Sequence, residues 1–194
     1  MKRIVLFASG SGTNVENIIR YFQNNPKVTV VSVLSNKRHA KVIDRCNILN
    51  ISALYFNRHA LYHSDCVLQF LKSQEPDLII LAGFLWKIPE NIVDYFQNKI
   101  INIHPALLPK FGGKGMFGEH VHRAVIENGE KETGITIHYV TKNYDEGATI
   151  KQIRTNVDPK DSVASIANKV HELEYEHYPR VIEQLLFPNN GQKE

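Results

Sequence analysis

The sequence is poor in cysteine, in long apolar runs and in charge of one sign, and each shortage excludes a class of protein. Two cysteines in 194 residues, Cys46 and Cys66, cannot build a disulfide framework and carry no metal-ligand spacing. No apolar stretch approaches the roughly 18 to 20 residues that span a bilayer. Lys2 and Arg3 before Ile4 to Ala8 faintly suggest an export signal. The apolar stretch falls short of the roughly 7 to 15 residues such a signal needs, and polar loop residues follow at once. The 23 basic and 20 acidic residues leave a net charge of +3, scattered rather than blocked, which argues against nucleic acid as a partner. Neither an internal repeat nor a low-complexity tract is visible. What remains is an ordinary globular composition, 43% hydrophobic and 22% charged. The expectation is a cytoplasmic protein with one domain over residues 1–188 and a short tail over 189–194.

The first thirty-five residues set the architecture. Arg3 to Ala8 is a continuous apolar run, as in a strand buried on both faces. A glycine-containing loop follows, then Val15, Ile18, Ile19 and Phe22 at helical spacing, then a break at Asn24-Asn25-Pro26. Val28 to Leu34 completes a strand-helix-strand unit, the building block of parallel sheets. The pattern continues with helix from about His39 to Leu49, strand over Ala53 to Phe56, and helix from Leu61 to Leu71. Strand over Asp77 to Ala82, a short helix over Pro89 to Phe96 and strand over Ile100 to Ile103 come next. A loop rich in proline and glycine then runs from Pro105 to Gly118, with a helix to about Ile126. Thr133 to Val140 alternates, reading as a strand with two different faces, and Thr149 to Val157 pairs with it as an antiparallel edge. A final helix spans about Ser162 to Leu186, bent at Pro179. This is an α/β chain with a mostly parallel, Rossmann-like sheet. Ligands in such sheets bind beyond the carboxyl ends of the strands, so the loops after Ala8, Ala82 and Ile103 are where chemistry belongs.

Several groups in those loops suit that role, each beside a plainer alternative. Gly12, Thr13 and Asn14 lie between a strand and a helix start, where backbone N–H groups and the helix dipole favour a phosphate monoester. The alternative is a tight turn with a helix cap. Asn102 and His104 share a face at a strand end and suit a reaction in which a carbonyl oxygen gains charge. The alternative is a histidine satisfied by a backbone carbonyl. Asp145 could reach back to His104, raise its pKa and hold the imidazolium, or belong to an ordinary acidic turn. Gly112-Gly113-Lys114-Gly115 reads as a mobile flap, and His120 and His122 diverge too far around a helix to share a metal. Glu174 falls at 20° on a helical wheel whose apolar stripe holds Ile166, Val170 and Val181. A carboxylate there is half of a structural ion pair or waits for a cationic ligand.

Ser9-Gly-Ser-Gly-Thr-Asn14, Leu81-Ala-Gly-Phe84, Ile101-Asn-Ile-His-Pro-Ala-Leu-Leu-Pro109 and the Asp145 loop occur in that order. Together they resemble the glycinamide ribonucleotide formyltransferase family over essentially the whole chain. The resemblance implies the formyltransferase fold and transfer of a formyl group from 10-formyltetrahydrofolate, as co-substrate, to the amine of glycinamide ribonucleotide. It implies catalytic roles for Asn102, His104 and Asp145, a substrate-phosphate loop at Gly12, Thr13 and Asn14, and an amine site at Glu174. It implies a folate pocket along Phe84, Leu85, Trp86, Lys87 and Ile88 and along Thr141, Lys142, Asn143, Tyr144 and Asp145. No metal is required, and the implied partners are these two small molecules, with the chain a monomer or weak homodimer. Two departures stand out: Trp86 falls where an arginine is expected nearby, and the loop after Lys110 is longer and richer in glycine.

Rival readings remain at this level. Methionyl-tRNA formyltransferase shares the Asn-x-His chemistry but carries a further C-terminal domain. Formyltetrahydrofolate hydrolase carries an N-terminal regulatory domain. A non-catalytic phosphosugar-binding module would keep only the Gly12 loop and show no effect of altering His104.

Overall fold

The computed structural model describes residues 1–188; the tail expected over 189–194 lies outside them. Its one sheet has seven strands. The elements run β1 (Lys2–Ala8), α1 (Thr13–Phe22), β2 (Val28–Ser35), α2 (Lys41–Ile48), β3 (Ala53–Tyr55), α3 (Arg58–Tyr62), α4 (Cys66–Gln74) and β4 (Leu78–Leu81). Then follow α5 (Glu90–Tyr95), β5 (Ile100–His104), α6 (Glu119–Glu127), β6 (Glu132–Tyr139), β7 (Thr149–Asn156) and α7 (Val163–Leu186). The strand order is β3-β2-β1-β4-β5-β6-β7, parallel from β3 to β5 and antiparallel at β5–β6 and β6–β7. The chain winds outward in both directions from β1 and β4, so a crevice opens past their carboxyl ends.

Strands that alternate apolar side chains between two covered faces must be apolar throughout, and β1 and β4 are. Ile4 and Leu6 pack toward α1, α2, α6 and α7, while Val5 and Phe7 pack toward α3, α4 and α5. The two layers therefore sit on opposite faces of the sheet.

One expectation needs correction. The helix expected over Leu61 to Leu71 is two helices, α3 and α4, parted at His63-Ser64-Asp65. Leu61 belongs to the first, and Val67, Leu68 and Leu71 to the second, all in one core, so spacing alone could not reveal the break. Strand β6 has the two different faces expected of it, and both are buried. Ile135 and Ile137 join the α6–α7 layer, whereas the Thr136 hydroxyl donates to the Ala106 carbonyl and accepts from Leu108 N–H. Helix α7 spans Val163–Leu186 with Pro179 inside it, close to the expected bounds. Proline has no N–H for the carbonyl four residues back, and the Asn17 side chain on α1 donates to that Tyr175 carbonyl at 2.9 Å instead.

Candidate active site

The first loop is braced from both sides. Gly12 has φ of +72°, and a Cβ there would lie 2.4 Å from Val42 Cγ2, so only glycine lets the chain turn into α1 against α2. Arg45 of α2 donates to the Ser11 carbonyl and pairs with Glu16. On the other side, buried Ser9 accepts from Leu85 N–H and donates its own N–H to the Gly83 carbonyl. The Gly12 loop and the 83–88 segment are thus fixed to each other.

These loops border a cavity of about 700 Å³ that passes over the sheet edge from one layer to the other. Its α1–α7 side holds Gly12, Thr13, Asn14 and Glu174, with Lys37 and Lys114 also at the wall. Its other side holds Phe84, Leu85, Trp86, Lys87, Ile88, Thr141, Asn143 and Tyr144. Asn102, His104 and Asp145 lie among the lining between them. Of the site residues that the family resemblance implies, Lys142 alone does not line the cavity; it is exposed to solvent.

His104 is 3% exposed. Its Nε2 lies 2.7 Å from the Phe111 carbonyl, so that nitrogen carries a proton and donates. Nδ1 faces Asp145 Oδ2 at 3.6 Å, an ion-pair distance too long for a direct hydrogen bond. The sequence reading had Asp145 raising the His104 pKa. Burial depresses it first, Asp145 and the Phe111 carbonyl pull it back, His138 opposes them, and the net result is lowered. Asp145 stays a carboxylate. Burial alone would raise its pKa, but His138, His104 and the Gly113 N–H, which donates to it at 2.8 Å, bring it below its ordinary value.

His138 was missed in the sequence. It lies opposite Asn102 in the β5–β6 register, where its Nε2 is 3.2 Å from Asn102 Nδ2 and 3.6 Å from Asp145 Oδ1. Its Nδ1 lies 2.9 Å from the Tyr139 carbonyl and donates there, which fixes the ring with Nε2 against both the Asn102 amide and the Asp145 carboxylate. His138 thereby orients Asn102. The alternation of β6 exposed it as a polar residue, but only the register reveals what it faces.

Glu174 is where the helical wheel puts it, 6% exposed, and it pairs with no cation among the described residues. Asn14 Nδ2 donates to it at 2.9 Å, so this amide turns to the carboxylate rather than into the glycine loop. Burial pushes the Glu174 carboxyl up to about 7 against the pull of Asn14. The structural ion pair is therefore excluded. His122 and His171 also line this side, and burial, followed by the neighbouring His171, holds the His122 imidazole down to about 4.

Taken together, a histidine–carboxylate pair and an oriented amide stand between a glycine loop with a buried acid and an aromatic pocket. That layout suits acyl or formyl transfer between two bound molecules. A formyl transferase family model matches residues 2–182. The chain is 35% identical over 199 residues to the phosphoribosylglycinamide formyltransferase of Bacillus subtilis, covering all of both chains. It is 34% identical to that of Escherichia coli, over 92% of this chain and 84% of the relative. Among solved structures, it superposes on glycinamide ribonucleotide transformylase 1 from Geobacillus kaustophilus with a TM-score of 0.86 and 34% identity, covering 96% and 99% of the two chains. Phosphoribosylglycinamide formyltransferase from Streptococcus pneumoniae gives 0.85 at 30% identity, over 96% and 99%. By sequence, fold and arrangement of the cavity, the chain belongs to the formyl transferase family.

Proposed function

We infer that the chain is a phosphoribosylglycinamide formyltransferase of purine biosynthesis, with 10-formyltetrahydrofolate as the formyl donor. One observation carries the reading: Asn102, His104 and Asp145 stand between a phosphate-type loop with buried Glu174 and an aromatic pocket, all on one continuous cavity. The Gly12–Asn14 backbone at the start of α1 receives the substrate phosphate. Glu174 accepts a hydrogen bond from the glycinamide amine and turns its lone pair toward the formyl carbon. The folate lies along residues 84–88 and 141–145.

The amine nitrogen attacks the formyl carbon, and the carbonyl π pair moves onto oxygen. Asn102 and His104 stabilise that oxygen, and burial of the site strengthens both interactions. His104 takes up a proton more readily as negative charge develops beside it, with Asp145 supporting the imidazolium. The carbon–N10 bond then breaks, and the proton lost by the amine passes to N10 through a water held by Asp145. Formylglycinamide ribonucleotide and tetrahydrofolate leave.

Purified protein given both substrates should release tetrahydrofolate in step with formylation of the amine. His104→Ala should lower kcat by at least about 10² with folding kept. A phosphosugar-binding module would instead bind glycinamide ribonucleotide without turnover, and His104→Ala would change nothing.

A further inference from the structure

We propose that Gln152 is a positioning residue for His104, acting through the loop from Leu107 to Phe111; its effect on turnover rests on the formyltransferase reading. His104, Thr136 and Gln152 stand side by side on β5, β6 and β7, because the two registers pair His104 with Thr136 and Thr136 with Gln152. The Phe111 carbonyl that receives the His104 Nε2–H lies seven residues further along the chain, so the loop must leave β5 and double back. Phe111 has φ of +56°, a conformation that a bulky side chain disfavours and that its surroundings must hold.

Gln152 supplies that hold from behind. Its Nε2 lies 2.7 Å from the Leu108 carbonyl, which can only accept, so the amide nitrogen faces the loop. The second N–H of that nitrogen goes to Thr136 Oγ1 at 3.0 Å. Leu108 N–H donates to the same oxygen at 3.0 Å, which fills both lone pairs and sends the hydroxyl proton to the Ala106 carbonyl at 2.6 Å. Leu108 is therefore pinned at its N–H and at its carbonyl. Its side chain supports the next turn, since a Cβ on Gly112 would lie 2.6 Å from Leu108 Cδ2. Phe111, just before Gly112, meets His104, and Gly113, just after it, donates to Asp145. One strut thus sets both members of the His104–Asp145 pair. Gln152 and Leu108 do not line the main cavity; they line a separate one of about 320 Å³ behind the loop, out of reach of substrate.

The test reads the ring as well as the rate. At pH 8 the His104 imidazole is neutral, because burial holds its pKa below the ordinary value. Long-range proton–nitrogen NMR spectra of protein labelled in its histidines, with His104→Gln for assignment, should show one proton fixed on Nε2 in wild type. Gln152→Met keeps nearly the same length and has no donor. It should free the loop, draw the two ring-nitrogen shifts together as tautomers mix, and lower kcat by about tenfold or more. The KM for glycinamide ribonucleotide should stay within about twofold, since the Gly12 loop is untouched. Gln152→Glu, a carboxylate without a donor at this pH, should do the same. Arg154→Gln, which breaks only the exposed pair with Glu132 on the same strand, should do neither. A wild-type proton on Nδ1, or unchanged His104 shifts in the folded Gln152 variants, would overturn the proposal. So would a loss of kcat no larger than that of Arg154→Gln. If the ring signals shift as expected but wild type transfers no formyl group, the proposed reaction fails and the positioning of His104 stands.

Discussion

At the scale of single residues, Asp145 concentrates the most information. It has φ of +55°, in the left-handed region that aspartate and asparagine tolerate better than other side chains. Asp145→Asn therefore keeps the backbone and removes only the charge. The carboxylate is the main influence pulling the His104 pKa up against burial. Its loss should lower that pKa further, depress kcat at pH 7 by roughly tenfold or more, and move the optimum to lower pH. A pH–rate profile checks this, and an unchanged profile would remove Asp145 from control of His104. The sequence marked Asp145 as a candidate because it is an acid in a loop between strands. It could not show that burial outweighs the carboxylate at His104, since that balance depends on how deeply β5 is covered.

At the scale of elements, the loops that carry the site were legible because continuous apolar runs and helical spacing mark β1, β4 and β5, and a parallel sheet fixes where their ends go. Pairings between elements were not. His138 meets Asn102 through the β5–β6 register, which no residue of either strand announces alone. Pro179 was legible as an interruption, but its partner Asn17 lies 162 residues earlier in the chain. That contact has an energetic signature. Asn17→Ala should cost about 1 kcal/mol by leaving the Tyr175 carbonyl without its donor. Pro179→Ala restores an N–H to the helix, so in that background the same change should cost little. A double-mutant cycle by denaturant unfolding reads the coupling, and strict additivity would show that the Asn17 bond does not replace the missing helical one.

At the scale of the whole molecule, two buried groups on the acceptor side pull stability in opposite directions. Glu174 holds its proton in the folded chain from its ordinary 4.5 up to about 7, so stability falls as pH rises through that window. His122 refuses a proton from 6.5 down to about 4, so stability falls as pH drops through nearly the same window. Each is worth roughly 3 kcal/mol, and in wild type they largely cancel. Glu174→Gln keeps an acceptor for Asn14 and removes one side of the balance. Its stability should match wild type below pH 4.5 and exceed it by roughly 3 kcal/mol above pH 7, while glycinamide ribonucleotide binds more weakly. Chemical denaturation at a series of pH values gives the difference directly; a variant less stable than wild type at pH 8 would contradict it. The passage of the cavity from one layer to the other has a kinetic meaning too. On the proposed reading acceptor and donor would occupy opposite faces of the sheet and meet only at its edge, so neither would have to leave for the other to enter. The expectation is that both are bound when the formyl group moves, and that it moves once. Double-reciprocal plots of initial rate should intersect rather than run parallel, and the donor alone should release no burst of tetrahydrofolate. A burst would mean that the formyl group first rests on the protein.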